Sequence, residues 1–388
     1  MDQPVIIAAC RTPIGRFQGA LGGLSAPELG AAAVRAAVAD AGITPDRIDE
    51  VILGNVLSAG VGQAPARQAA LKAGLPDSVA ALTINKVCGS GLKAVQLAVH
   101  AIAAGDASVV VAGGMESMSR APYLVSRDQL EASQQVPVDS MLHEGLHCAL
   151  SDRSMGQIAD ALAVSDGFSR RELDEYALES HRRAVAAQDR GDFDDEIVPV
   201  TPGDGSVVRQ DEGPRRDTSL DRLAKLRPVF DEHGRVTAGN ASMISDGAAA
   251  LIVTAADSAA AMGTQPIACI RSFVTVGGPP EDLFVAPAAA VRAAVRKAGL
   301  NLSDIDLFEI NEAFAVQMLA CLRRLELSTE RVNVNGGAIA IGHPLGASGA
   351  RVAVTLLHAM QRRKARIGVA ALCLGGGNAI AAVLERIE

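Results

Sequence analysis

The sequence predicts an α/β fold made of two copies of one unit, related by a pseudo-twofold axis, with a long segment inserted between them. Three observations carry this. Alanine-rich helical stretches alternate with short apolar strands. One order of helix, glycine stop, strand, loop and second helix occurs twice. Residues 118–244, between the copies, are richer in charge and turn residues. The halves are then residues 1–117 with 245–266, and residues 267–388.

The first copy begins with Pro4-Val5-Ile6-Ile7, an apolar start expected to form a strand. Residues 26–41 read as a helix stopped by Gly42, since glycine takes the positive φ of a helix end at little cost. Ile48 to Asn55 reads as a buried strand ending in Asn. The second copy repeats this with a helix over 286–298, Gly299, and a strand from Ile305 to Asn311. Cys88 lies 33 residues after Asn55, and His343 lies 32 residues after Asn311. Each precedes a Ser-Gly pair expected to open a helix, Ser90-Gly91 before 92–104 and Ser348-Gly349 before 350–360. Each helix leads to a strand ending in glycines: 107–112 into Gly113-Gly114, and 366–372 into Cys373-Leu374-Gly375-Gly376-Gly377. Cys88, Asn311, His343 and Cys373 therefore fall at equivalent ends of the repeat, where open α/β sheets gather ligands.

The inserted segment contains a helix over Ser169–Arg190 that opens with a Ser-Arg-Arg-Glu capping box. Its length argues against a structureless loop, so it is expected to be a lid or ligand-gripping subdomain.

Composition excludes several functions. A formal charge of −8 argues against nucleic acid as a partner. No run of 18 apolar residues is free of charges or helix breakers, so no membrane span is expected. The six cysteines are scattered, without a CxxC pair, which suggests neither a zinc site nor a disulfide framework. A reducing, cytoplasmic location fits that usage best.

The chemistry follows from residue types. Cys88 stands in Asn85-Lys86-Val87-Cys88-Gly89-Ser90-Gly91, just before a helix start. That position is expected to lower the thiol pKa and to offer backbone N–H groups to an oxyanion. His343, in the glycine-rich stretch Asn335–Gly349, is expected to transfer protons near neutral pH. Cys373, followed by three glycines, is a second thiol suited to moving a proton to or from carbon. Asn311, at a strand end in Asn311-Glu312-Ala313-Phe314-Ala315, can orient a water or donate to an oxyanion; it could equally cap the next helix.

Together these blocks, with Gly113-Gly114-Met115-Glu116-Ser117-Met118-Ser119, Lys225-Leu226-Arg227-Pro228 and Thr237-Ala238-Gly239-Asn240-Ala241-Ser242, closely resemble the thiolases. The resemblance covers essentially the whole chain. It implies a duplicated five-layer α-β-α-β-α fold and reversible acetyl-CoA C-acetyltransferase chemistry, condensing two acetyl-CoA to acetoacetyl-CoA and coenzyme A. Cys88 would carry the acyl group, His343 would activate Cys88 and later the thiol of coenzyme A, and Cys373 would act on the α-carbon. One oxyanion hole would combine His343 with a water held by Asn311. The other would use the N–H groups of Cys88 and Gly375. Coenzyme A would meet Arg215 near its adenine end and Ser242 along its pantetheine, with Leu146, Met155, Phe230, Ala238 and Phe314 as further substrate contacts. Arg182, Arg183 and Lys225 are weaker candidates. No metal and no cofactor beyond the coenzyme A substrates is implied. The resemblance also implies a homodimer, or a homotetramer assembled through residues 120–140.

Two alternatives stand beside that reading. One is a degradative 3-ketoacyl-CoA thiolase of fatty-acid oxidation with longer substrates. The other is a catalytically silent acyl-CoA- or lipid-binding relative. Three departures from the family pattern bear on chain length: Ser154 where histidine is frequent, Asp282–Pro287 with Phe284 in place of Met-Gly-x-Gly-Pro, and Asn378-Ala379 after the triple glycine.

Overall fold

A computed structural model describes residues 3–131, 136–203 and 205–387. Part of the 120–140 segment expected to build a tetramer, residues 132–135, lies outside them.

Among the described residues the main sheet has ten strands, nine in one continuous order and a two-residue strand, Gly15–Arg16, paired to Ser245 and Asp246 off that order. The nine are β1 (Pro4–Arg11), β2 (Glu50–Gly54), β3 (Ala80–Ile84), β4 (Val109–Ser117) and β5 (Ser245–Ala255) in the first half. The second half adds β6 (Ala268–Gly277), β7 (Leu307–Ile310), β8 (Ile367–Leu374) and β9 (Asn378–Arg386). Their order is β7-β8-β9-β6-β1-β5-β4-β2-β3. Within that order the repeat is plain. β2 is parallel to β4 as β7 is parallel to β8, and β4–β5 is antiparallel as β8–β9 is. The halves meet where β1 pairs with β6, through only Val5↔Cys269 and Ile6↔Ala268. That short seam lets the halves fold over one another around a layer of helices.

The middle layer holds α3 (Ser90–Ala104) and α8 (Leu345–Arg363), the two helices expected from the repeat. Outside them, α1 (Ala26–Asp40) and α2 (Pro65–Lys72) cover the first half's strands, and α6 (Ala286–Lys297) covers the second's, with α7 (Ala315–Leu325) against it. The order of layers is helix, strand, helix, strand, helix, as expected. The chain's scarcity of aromatic side chains suits this, because Ala, Gly and Val allow a helix to lie close on a sheet.

Two boundaries differ from the sequence reading. α8 begins at Leu345, so Ser348-Gly349 lies inside its first turns. β4 does not stop at Gly113 but runs through both glycines to Ser117. One physical cause explains both: backbone approaches backbone. A Cβ on Gly91 would lie 2.6 Å from Ala350 N, and one on Gly349 would overlap Leu92 N. A Cβ on Gly54 would lie 2.7 Å from Gly346 O, and one on Gly114 would overlap that same carbonyl. These glycines serve close packing rather than turns. Glu116, buried on β4, then caps the α8 start: its carboxylate accepts from Gly346 N, Val56 N, Leu57 N and Asn55 Nδ2 at 2.8, 3.0, 3.2 and 2.7 Å.

One stretch, Val87–Ala104, has the length and hydropathy of a membrane span, which the sequence reading did not anticipate. It contains α3, which packs between β2, β4 and α8 and so reads as a core helix. In the inserted segment, α4 (Met155–Ser165) and α5 (Arg170–Arg190) carry the capping boxes of Ser154 and Ser169. Their apolar faces join a cluster with Phe284, Phe314 and Cys373, docking the segment against the second half.

Gly349→Ala and Gly114→Ala should each destabilise the protein by about 2–5 kcal/mol, the range for buried changes that force packed backbone apart. Gly23→Ala, where an added Cβ meets nothing within 4 Å, should stay within about 0.5 kcal/mol of the parent. Denaturant unfolding of the three variants checks this; equal midpoints would contradict it.

Candidate active site

The α3 and α8 starts, the β8 end and the inserted segment enclose one cleft of about 1010 Å³. Cys88, His343, Cys373 and Gly375 line it, as do Arg215, Ser242, Leu146, Met155, Phe230, Ala238 and Phe314. Asn311 lies behind the wall, against His343. Arg182 and Arg183 do not reach this cleft; they line a separate one with Arg190 and Arg362, where Glu179 accepts from both. Lys225 does not line the cleft.

Cys88 is held by a tight turn. Val87 has φ +48°, a left-handed conformation unfavourable for a β-branched residue, and marks local strain. Ser90 Oγ closes the turn by accepting from Lys86 N at 2.7 Å and donating to Val87 O at 2.7 Å. Gly89 lets this turn abut the β8 end, since a Cβ there would overlap Leu374. The backbone N–H groups of Cys88 and Gly375 both favour the ionised form of the Cys88 thiol.

Those donors and the helix start do not lower the thiol pKa. Burial dominates and pushes Cys88 up to about 12, with the two N–H groups pulling the other way. Burial likewise raises Cys373 well above 9.0, and the neighbouring Cys88 adds to it. His343 is driven down to about 3, first by burial and then by Arg351. The expectation of a lowered thiol pKa beside a histidine titrating near neutrality is therefore corrected. At neutral pH both thiols are protonated and the imidazole is neutral. A helix start contributes about 0.3–2 kcal/mol, whereas burying an unpaired charge costs several kcal/mol.

Ser348, read from sequence only as part of a helix start, orients the imidazole. Its Oγ lies 2.6 Å from His343 Nδ1 and 2.7 Å from Pro344 O. The carbonyl only accepts, so the Ser348 hydroxyl hydrogen goes to it, and His343 Nδ1–H donates to Ser348 Oγ. That leaves Nε2 unprotonated, with its lone pair available as a base. Ser348 thus does for His343 what Ser90 does for the Cys88 turn, a match the Ser-Gly repeat already held.

Asn311 is not a helix cap, since Phe314 occupies the α7 N-cap. Its Nδ2 lies 3.4 and 3.5 Å from His343 Nε2 and Nδ1, nearly equidistant and so against the ring rather than in line with either nitrogen. Arg351 Nη2 donates to Asn311 Oδ1 at 3.3 Å and, through Nη1, to Glu309 at 2.9 Å, which fixes the amide's orientation. Glu312 anchors the loop leading to His343 by accepting from Ser180 Oγ, Asn333 Nδ2, Tyr176 Oη and Ile339 N. Isolated buried carboxylates carry no sequence signature, and Glu116, Glu309 and Glu312 went unassigned for that reason. Among the described residues no group of three His, Cys, Asp or Glu side chains could hold a metal ion.

Two thiols and a neutral imidazole facing one cleft at the junction of duplicated halves are the groups that acyl transfer needs. Residues 4–257 match the thiolase N-terminal domain and residues 264–386 match the thiolase C-terminal domain. The chain belongs to the thiolase family. It is 51% identical over 393 residues to a probable acetyl-CoA acetyltransferase of Escherichia coli K12, and 50% identical over 392 to an acetyl-CoA acetyltransferase of Pseudomonas aeruginosa. It is 49% identical over 394 residues to a probable acetyl-CoA acyltransferase of Staphylococcus aureus COL; all three comparisons cover 100% of both chains. The crystal structure of the Bacillus anthracis acetyl-CoA acetyltransferase superposes with a TM-score of 0.97 at 40% identity, covering 100% of this chain and 99% of that one.

Two outcomes are expected. Alkylation of Cys88 by iodoacetamide, followed by peptide mass, should rise steadily from pH 7 to pH 10, because the thiolate fraction of a raised thiol still grows across that range. A rate already level at pH 7 would contradict a protonated resting thiol. Ser348→Ala should lower kcat roughly 100-fold, the lower part of a general base's contribution, with KM nearly unchanged. An unaltered kcat would remove Ser348 as the orienting group.

Proposed function

We propose that this protein is an acetyl-CoA C-acetyltransferase, working reversibly through an acyl-Cys88 intermediate. The observation that carries the reading is the convergence on one cleft of the Cys88 thiol, whose ionised form two backbone N–H groups favour, a neutral His343 with Nε2 unprotonated, and a protonated Cys373.

The resting protonation suits thiolysis without rearrangement. Cys88 attacks the 3-keto carbon of acetoacetyl-CoA as His343 Nε2 takes its proton. The oxyanion is stabilised at one of the two holes, and collapse of the adduct breaks the bond between the α- and β-carbons. Cys373 gives its proton to the departing α-carbanion, and acetyl-CoA leaves. The imidazolium, far the stronger acid here, returns its proton to the Cys373 thiolate. Coenzyme A then loses its thiol proton to His343 and attacks the acetyl-Cys88 thioester, and the imidazolium reprotonates Cys88 as the second acetyl-CoA forms. Condensation is the reverse. The second hole would be the pair of N–H groups on Cys88 and Gly375, whose effect on the Cys88 thiol supports a role beside the oxygen of its thioester.

The cleft's polarity sets the substrate's direction. Its mouth carries exposed Arg215, suited to phosphates, and Arg222, ion-paired with Asp217, with Ser242 farther along, and its floor is buried around Cys373. A cytoplasmic homodimer or homotetramer is the assembly that accompanies this reading, and fatty-acid metabolism its setting.

Exposure to acetyl-CoA should add one acetyl group, mapped by mass spectrometry to the Cys88 peptide, and Cys88→Ala should abolish it. No adduct, or an adduct that survives Cys88→Ala, would defeat the proposal and leave the silent acyl-CoA binder as the better reading.

A further inference from the structure

We propose that Phe284 is the stop of the acyl pocket and confines the enzyme to short 3-ketoacyl thioesters of about four carbons; this rests on the thiolase reading above. The cleft passes from an exposed polar mouth to a buried apolar floor, and that floor is where an acyl group would lie. Leu283 and Phe284 form its wall beside Cys373, within one apolar cluster that also holds Ala313 and Phe314. Phe284 is 2% exposed.

The position departs from the family pattern quoted above. If Pro287 is the proline of the Met-Gly-x-Gly-Pro pattern, Phe284 stands where that pattern has its first glycine. A buried benzyl group therefore lines the cleft where that pattern has no side chain.

The ring is also held in place. It packs edge-to-face on Phe314, with centroids 5.2 Å apart and planes at 77°. Phe314 is fixed in turn at the α7 start, where Ala315 N donates to Asn240 O at 2.9 Å and Phe314 bridges to Ala241. On the other side, the Cys321 thiol of α7 donates to Phe284 O at 3.4 Å. A longer chain would have to displace both rings and the segment that carries one of them. One methylene too many in a closed apolar pocket is worth roughly 10- to 200-fold in specificity.

The test measures thiolysis of acetoacetyl-CoA and 3-ketohexanoyl-CoA by the full-length enzyme, Phe284→Ala and Phe284→Leu. The readout is the ratio of the two kcat/KM values within one preparation, which is independent of the fraction folded. The parent should favour the four-carbon substrate at least tenfold. Phe284→Ala should raise the six-to-four ratio at least tenfold, with Phe284→Leu between; if the alanine variant does not fold, the leucine variant alone should raise it severalfold. A ratio within twofold of the parent in the variants that fold, or a parent that cleaves both substrates equally, would overturn the stop and leave the thiolase reading standing. A parent that cleaves neither substrate and takes no acetyl group on Cys88 would overturn both.

Discussion

The structure depends on backbone meeting backbone where α3 and α8 begin. Gly91 and Gly349 let the two helix starts touch, while Gly54 and Gly114 admit the Gly346 carbonyl between strands. No side chain larger than hydrogen fits these contacts, so they fix the distance between the halves more tightly than an apolar interface could. The Cys88 turn and the His343 loop hang from these helix starts. Their relative position is therefore set by the packing that holds the halves together, and Glu116 ties β4, the loop after β2 and the α8 start into the same unit.

Placing the site at that junction has an electrostatic consequence. Burial favours the uncharged form of every group involved: Cys88 and Cys373 are raised, His343 is lowered. The resting site holds no thiolate–imidazolium pair. Charge instead develops during reaction, under N–H donors already in position, which is where preorganised dipoles act most strongly. A protonated Cys373 of high pKa is matched to the weak acidity of a carbon α to a thioester. The imidazole, kept neutral and in one tautomer by Ser348, can accept a proton from either thiol that needs activating.

Much of this was legible in the chain. The repeat gave the paired helices and strands in order, because helix stops at Gly42 and Gly299 and strand ends at Asn55 and Asn311 are local signals. The resemblance brought Cys88, His343, Cys373 and Gly375 to one cleft. What was not legible was tertiary in origin. Glycines within β4 and α8 read as breaks, yet they serve approach between elements distant in sequence. The Cys88 thiol is raised where the sequence points to a lowered one, because a helix start is visible in sequence and burial is not. Ser348 was quoted as a helix residue, and only the 2.6 Å contact with His343 reveals its role.

The central claim is that the Cys88 thioester forms under the N–H groups of Cys88 and Gly375, with His343 and Cys373 on the reacting side. A crystal structure of Cys373→Ala after exposure to acetyl-CoA addresses it directly, since that variant can acetylate but cannot move the α-proton. The account predicts an acetyl group on Cys88 Sγ with its oxygen within about 3.2 Å of both nitrogens. An acetyl group carried elsewhere, or one whose oxygen turns away from those two N–H groups, would contradict it.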